Sequence, residues 1–304
     1  MTTIEPVQPG LDVAEPPAPA TEVILGYPSL WRHVVHSFRR ELLPKVGLLI
    51  VVAVVFLAIF GPILAPFNTR AATNLVNAPP SAAHWFGTDG SGIDVFSRVI
   101  AAPRIDVTIA LLATALALVI GSAIGLFATF YGGRAGSLAI RGTDTLQAFP
   151  ALIFAIIVVV LTGHGIDVII LVIAILNMPL YARLMRSEVV RIRERSFIEA
   201  ARASGMTDFA IAWRQVLPNA IAPIAAQMSV TIGWSIIATA GLSFLGAGVL
   251  PPTPEWGSMI SAGSSGIMLG QWWPSVFPGI AMALTVFGFA IIGDTIQSAL
   301  GREG

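Results

Sequence analysis

The chain has 304 residues, 55% hydrophobic and only 11% charged, against roughly a quarter charged in an average soluble protein, so its apolar surface exceeds what one water-soluble core could bury. Its formal net charge is zero, which gives no electrostatic ground for nucleic acid as a partner. The absence of cysteine excludes disulfides, thiolate metal sites and thiol nucleophiles, and His33, His36, His84 and His164 stand at no metal-binding spacing.

Residues 1–28 carry six prolines and the acidic Glu5, Asp12, Glu15 and Glu22 with no Lys or Arg, a composition that cannot form a core and reads as a disordered tail. It lacks the basic and apolar regions of a signal peptide. Over 29–45, Trp31, Val34, Val35, Phe38 and Leu42 share one helical face and Arg32, His33, His36, Arg39 and Arg40 the other. This segment is either an amphipathic helix on the membrane surface or the basic flank of the first span.

A hydrocarbon layer about 30 Å thick needs roughly 20 apolar residues of helix. Six such runs are expected, over 46–65, 106–131, 145–163, 166–182, 218–245 and 274–293, so 46–304 reads as one all-α integral membrane domain. Gly163, His164 and Gly165 make the short turn between the third and fourth runs, and Pro150 and Pro179 should kink their helices. With the N-terminus inside, only Arg70, Arg98 and Arg104 of the 17 Lys and Arg lie outside, which places both termini in the cytoplasm. Trp85, Trp256, Trp272 and Trp273 then stand near the outer ends of spans as interfacial anchors. Within the spans Asn177, Gln227, Ser229, Ser235 and Ser243 are polar enough to line a pathway, although intramembrane serines commonly bond to their own helix.

The cytoplasmic segment 183–217 is the most basic in the chain and longer than a reversal of direction requires. Ser196 to Glu199 matches a capping box that opens a helix; Ala200, Ala201 and Ala203 continue it, and Gly205 can close it with a positive φ. Thr207 or Asp208 caps a second helix that runs to Pro218. This helix-turn-helix would offer small side chains and the apolar Phe197 and Ile198 either to a groove on another protein or to the membrane interface. Outside, Gly87 to Gly92 reads as a turn, and the proline-rich stretch 249–257 as a packed cap over the outer mouth.

Glu199 to Gly205 followed by Trp213 to Asn219, with a proline thirteen residues after the glycine, resembles the EAA motif of ATP-binding-cassette importer permeases. Further blocks at Gly87–Arg98, Tyr131–Gly133, Asp144–Pro150, Tyr181–Arg186, Leu242–Gly257 and Trp272–Gly279 with Gly293 and Asp294 resemble, in the same order, the C-type permease of dipeptide and oligopeptide importers. Where this family usually has arginine after the outer glycine and histidine before the Leu-Pro, this chain has Ile93 and Gln215.

The resemblance implies a type I importer permease fold in a bacterial cytoplasmic membrane, with 183–217 as the loop that couples to a cytoplasmic ATPase. Ser196, Phe197, Glu199, Ala200, Ala201, Gly205, Leu217 and Pro218 are the residues it assigns to coupling. It also implies a homologous B-type permease, one or two ATPase subunits or a fused pair that bind ATP and Mg, and an extracytoplasmic substrate-binding protein. The cargo would be di- or oligopeptides, while related systems carry nickel, haem or other small solutes. The residues agree that energy comes from elsewhere, because no Gly-rich phosphate loop with its lysine occurs. An ion-driven transporter would show intramembrane carboxylates, whereas Asp106, Asp144, Asp167 and Asp294 fall near span ends. An intramembrane enzyme would show a paired carboxylate, a serine with its base or a histidine cluster within the spans. Because the chain is free of cysteine, a single Glu199→Cys variant is expected to react with a membrane-impermeant maleimide only after the cytoplasmic side is opened; labelling of intact cells would reverse the topology.

Overall fold

The computed structural model describes Phe38 and residues 41–301, so the expected tail 1–28 and most of the segment 29–45 lie outside the described residues. Among the described residues, besides the bent pair Gly133–Leu146 and Ala151–Thr162 that makes a sixth if taken as one span, five stretches are long and apolar enough to cross a membrane: Leu42–Leu64, Val95–Tyr131, Ile166–Arg193, Asp208–Phe244 and Trp273–Leu300. They contain α1 (Leu42–Leu64), α2 (Val95–Ala101) with α3 (Pro103–Tyr131), α6 (Ile166–Arg193), α9 (Leu217–Phe244) and α11 (Trp273–Gly301). Among the described residues there is no strand beyond a single bridge between Thr88 and Asp94.

The expected third span, 145–163, is not one straight helix. α4 (Gly133–Leu146) and α5 (Ala151–Thr162) meet at 92°. Pro150 donates no amide hydrogen bond and disfavours helical geometry in Phe149 before it, so the chain turns there and does not merely kink. The twelve residues of α5 extend about 18 Å at 1.5 Å per residue, short of a full crossing. Pro179, by contrast, stays inside α6, which continues to Arg193, well beyond the expected end at residue 182. Its last turns bury Met185, Val189 and Ile192, the i, i+4, i+7 spacing of a helix with a packed face, so the arginines from 183 to 193 ride on a helix.

α3 and α6 form the most extensive helix pair. Gly121 and Gly125 permit it: a Cβ at either position would fall inside van der Waals contact of the carbonyl oxygens of Met178 and Ala182 respectively. α9 packs against both. Where the three meet, Asn177 Nδ2 donates to Ser235 Oγ at 3.0 Å, and Thr114 Oγ1 lies 3.3 Å from that same oxygen. Ser229 Oγ ties α9 to α11 through the Phe289 carbonyl at 2.8 Å. α1 packs on α11 by close fits at Gly47 and Gly288, and most of its large apolar side chains stay exposed, as suits a helix solvated by lipid or by another subunit.

At the far end, loop 65–94 folds into a cap. The expected turn is present: Asp89 Oδ1 accepts the amides of Ser91 and Ile93, and Gly92 has φ +76°. Arg98 spans to Asp89 Oδ2 at 2.7 Å, while His84 Nδ1 contacts Asp94 Oδ1 at 2.8 Å. Trp85 and Trp272 are exposed as interfacial anchors would be, but Trp256 and Trp273 are buried. Their indole N–H groups donate to the carbonyls of Val99 and Thr88, so they are the core of the cap. Glu255, fully buried, accepts the amides of Gly257 and Ser258 to start α10 (Trp256–Ser264), and Asp106 accepts the Trp256 amide. Val249 and Pro254 to Gly257 are thus held against the spans, as the composition suggested, while Leu250, Pro251 and Pro252 stay exposed.

The helix pairing makes a paired expectation. Gly121→Val should destabilise the chain by about 1–3 kcal/mol through overpacking. Gly142→Ala, in an open position of α4, should stabilise it by roughly 0.5–1 kcal/mol. Unfolding of the purified protein in detergent measures both.

Candidate functional site, a docking module at one end of the spans

The EAA segment forms a compact module. α7 (Ser196–Ala203) follows Arg195, whose extended backbone (φ −82°, ψ 142°) occupies the N-cap position. The expected capping box therefore shifts: Ser196 is the first helical residue rather than the cap, and the Arg195 carbonyl receives the Ile198 amide at 3.0 Å. The far end closes as expected. Met206 N–H donates to Ala201 O at 3.2 Å and Gly205 N–H to Arg202 O at 2.9 Å, the paired bonds of a Schellman motif, with Gly205 at φ +78°. Thr207, not Asp208, caps α8 (Asp208–Ile211) by accepting the Ala210 amide. Ala212–Val216 then widens into a π turn that leads without a break into α9.

The two faces of α7 differ. Ile198 has 0% exposure and Ala201 8%, and both join the core that contains Met185, Val189, Ile192, Ile211 and Val216. This corrects the expectation that Ile198 protrudes and that Ala201 lies on the contact face. At about 100° per residue, positions 198 and 201 share one side of the helix. Ser196, Glu199, Ala200 and Ala203 share the opposite side and are exposed, with Phe197 38% exposed beside them. Leu217 is half-buried and Pro218 exposed at the start of α9. The module is seated on the end of α3 as well: Phe209 stacks nearly parallel on Phe127 at 6.2 Å, and Arg193 donates to the Thr129 carbonyl while its guanidinium sits 6.0 Å from the Phe130 ring centre. Nothing local in the sequence marks Arg193 for this role, because its bond to a helix-end carbonyl depends on a residue 64 positions away.

The pathway candidates separate. Asn177 and Ser235 are buried and bonded to each other, and Ser243 accepts the Val249 amide, so each of the three makes a bond within the chain. Gln227 is half-exposed, and its Oε1 accepts from the exposed Gln297 at 3.1 Å. Among the described residues no group of three or more His, Asp or Glu could hold a metal ion.

Residues 117–303 match the family of binding-protein-dependent transport system inner membrane components, and residues 29–80 match the N-terminal transmembrane domain of oligopeptide transport permease C. A dipeptide transport system permease protein of Alkalihalophilus pseudofirmus is 38% identical over 288 residues, 94% of each chain. A glutathione transport system permease protein of Pectobacterium atrosepticum is 35% identical over 89% of this chain and 90% of its own. Among solved structures, an inward-facing MetNI methionine ABC transporter shares the fold with a TM-score of 0.53 at 19% identity, over 66% of this chain and 96% of that one.

Because Gly205 holds a positive φ with open space around its Cβ position, the cost of Gly205→Val is backbone strain alone, about 1–2 kcal/mol. Hydrogen exchange over residues 199–206 should accelerate in that variant. It should remain close to the parent in Gly205→Asn, since asparagine tolerates the left-handed region.

Proposed function

The chain belongs to the family of binding-protein-dependent transport system inner membrane components and is a permease of an ATP-binding-cassette importer, and from that premise we propose that it forms half of a translocation pathway for short peptides. The observation that carries the cargo is the match, over 94% of both chains, to a permease named for dipeptides. Glutathione, named for further relatives, is itself a tripeptide. A homologous B-type permease supplies the other half of the pathway. Two ATPase subunits or a fused pair bind ATP and Mg, and an extracytoplasmic binding protein delivers the peptide. This chain contributes no catalytic group.

Coupling follows from the two faces of α7. Its outer side, with Ser196, Glu199 and Ala200 beside Phe197, has small side chains that allow close approach and one carboxylate for a cation in an ATPase cleft. Its inner side, Ile198 and Ala201, belongs to the one buried cluster that also holds Val189 and Ile192 of α6 and Ala220 and Ile224 of α9, and interiors packed at crystal-like density transmit displacement rather than absorb it. Closure of the ATPases would then push α6 and α9 together. Gly205 sets the turn, while Leu217 and Pro218 join the module to α9. Both termini lie in the cytoplasm of a bacterium, on either side of the permease domain. Of the four pathway candidates, Gln227 is the one open to a neighbouring subunit.

In proteoliposomes that contain both permeases and the ATPases, with the binding protein outside, uptake of a labelled dipeptide is expected to depend on ATP. It should fall at least tenfold in Glu199→Arg, with assembly of the complex unchanged. Peptide movement or ATP hydrolysis by the purified chain alone would overturn the division of labour.

A further inference from the structure

The π turn at Ala212–Val216 sits where the docking module meets the span, and the residue after its last hydrogen bond is a proline. Leu217 N–H donates to Ala212 O, five residues back. In a regular α-helix Leu217 would bond to Trp213 and the next amide to Arg214, but Pro218 has no N–H to give. Its ring would also press on the carbonyl four residues before it. Widening the helix by one residue just ahead of the proline relieves that clash while Ala212 and Val216 stay buried. One additional residue in a helix turns everything before it by roughly 100° and moves it about 1.5 Å along the axis. The direction in which α7 and α8 face, relative to α9, thus depends on this turn.

We propose that Pro218 is a positioning residue: by imposing the π turn, it sets the rotational register between the docking module and α9, so that Phe209 reaches Phe127 and the Glu199 face of α7 points away from the spans. The inference rests on the coupling role of α7. It assigns a physical job to the proline of the Leu-Pro pair that neither ATPase contact nor helix capping supplies, since Pro218 lies beyond α7 and α8 in sequence and opens a span. Three observations support it together: the five-residue hydrogen bond, the proline directly after it, and the parallel stack of Phe209 on Phe127 at 6.2 Å that the register produces.

The cysteine-free chain allows a direct test in the assembled importer with its ATPases and binding protein. Phe127→Cys with Phe209→Cys, bridged by a short bifunctional thiosulfonate, reports the register, and ATP-dependent dipeptide uptake of the same variants in the cysteine-free background reports coupling. Pro218→Ala is expected to let the helix relax to α geometry, with cross-linking and uptake each reduced at least fivefold. Adding deletion of the exposed Arg214 removes the surplus residue and should restore both. Unchanged cross-linking in Pro218→Ala, or failure of the deletion to restore it, would overturn the role. So would lost cross-linking with normal uptake. Should Pro218→Ala not assemble, deletion of Arg214 in the parent serves instead: a proline that demands the wide turn must shift the register, so lost cross-linking is expected and retained cross-linking overturns the proposal. Failure of the coupling role itself appears separately, as normal uptake in Glu199→Arg with the parent register intact.

Discussion

Backbone-to-backbone contact between α3 and α6 is the constraint around which the other helices arrange themselves. In a lipid phase apolar side chains gain little by leaving one apolar surroundings for another, so helices associate through close packing and interhelical hydrogen bonds. Gly121 and Gly125 let the carbonyls of Met178 and Ala182 approach the face of α3 directly. The buried row that runs from Ile169 through Tyr181 to Ile192 on α6 then lies along α3 for nearly its whole length. α9 completes the arrangement at the polar contact of Asn177, Ser235 and Thr114, a contact that fixes lateral alignment as well as distance because its partners stand on three different helices.

The same pair of helices carries the docking module. α6 extends past the apolar zone to Arg193, and its last buried residues form one continuous core with Ile198, Ile211 and Val216. The module is therefore anchored on two sides, through α6 before it and through the π turn and α9 after it, while Phe209 and Arg193 tie it to the end of α3. Under the proposed coupling role, a protein that presses on the exposed side of α7 would act on all three helices of the central packing. At the opposite end, the cap built on Trp256, Trp273, Glu255 and the Asp89–Arg98 ion pair is fastened to the beginnings of α2, α3 and α11. Both ends of the chain's interior are thus mechanically connected to the same core.

Composition and motif order made several features legible before any tertiary contact was known. The apolar runs located five spanning stretches to within several residues at most of their ends, because a lipid-crossing helix must be continuously apolar whatever it packs against. The left-handed glycine at 205, the turn at Asp89 to Gly92 and the second cap at Thr207 were legible because each is a local demand of the backbone. The family and the importer class follow from the ordered blocks and are matched over nearly the full length.

Three things were decided only when the helices came together. Pro150 and Pro179 look alike in sequence, yet one breaks a span and the other lies within a helix, because α6 is held by α3 on both sides of Pro179 and α5 has no comparable support. Ile198 and Trp256 were expected at a surface and are buried, since burial depends on which neighbour arrives and not on the residue's own hydropathy. Asn177 and Ser235 looked equally able to line a pathway or to hold helices together, and the bond between them across 58 positions exists only because α6 and α9 meet. Sequence thus determined what had to be in lipid and where the backbone had to turn, which are local free-energy demands; only tertiary structure decided which faces meet, because that depends on shape matched between residues far apart in the chain.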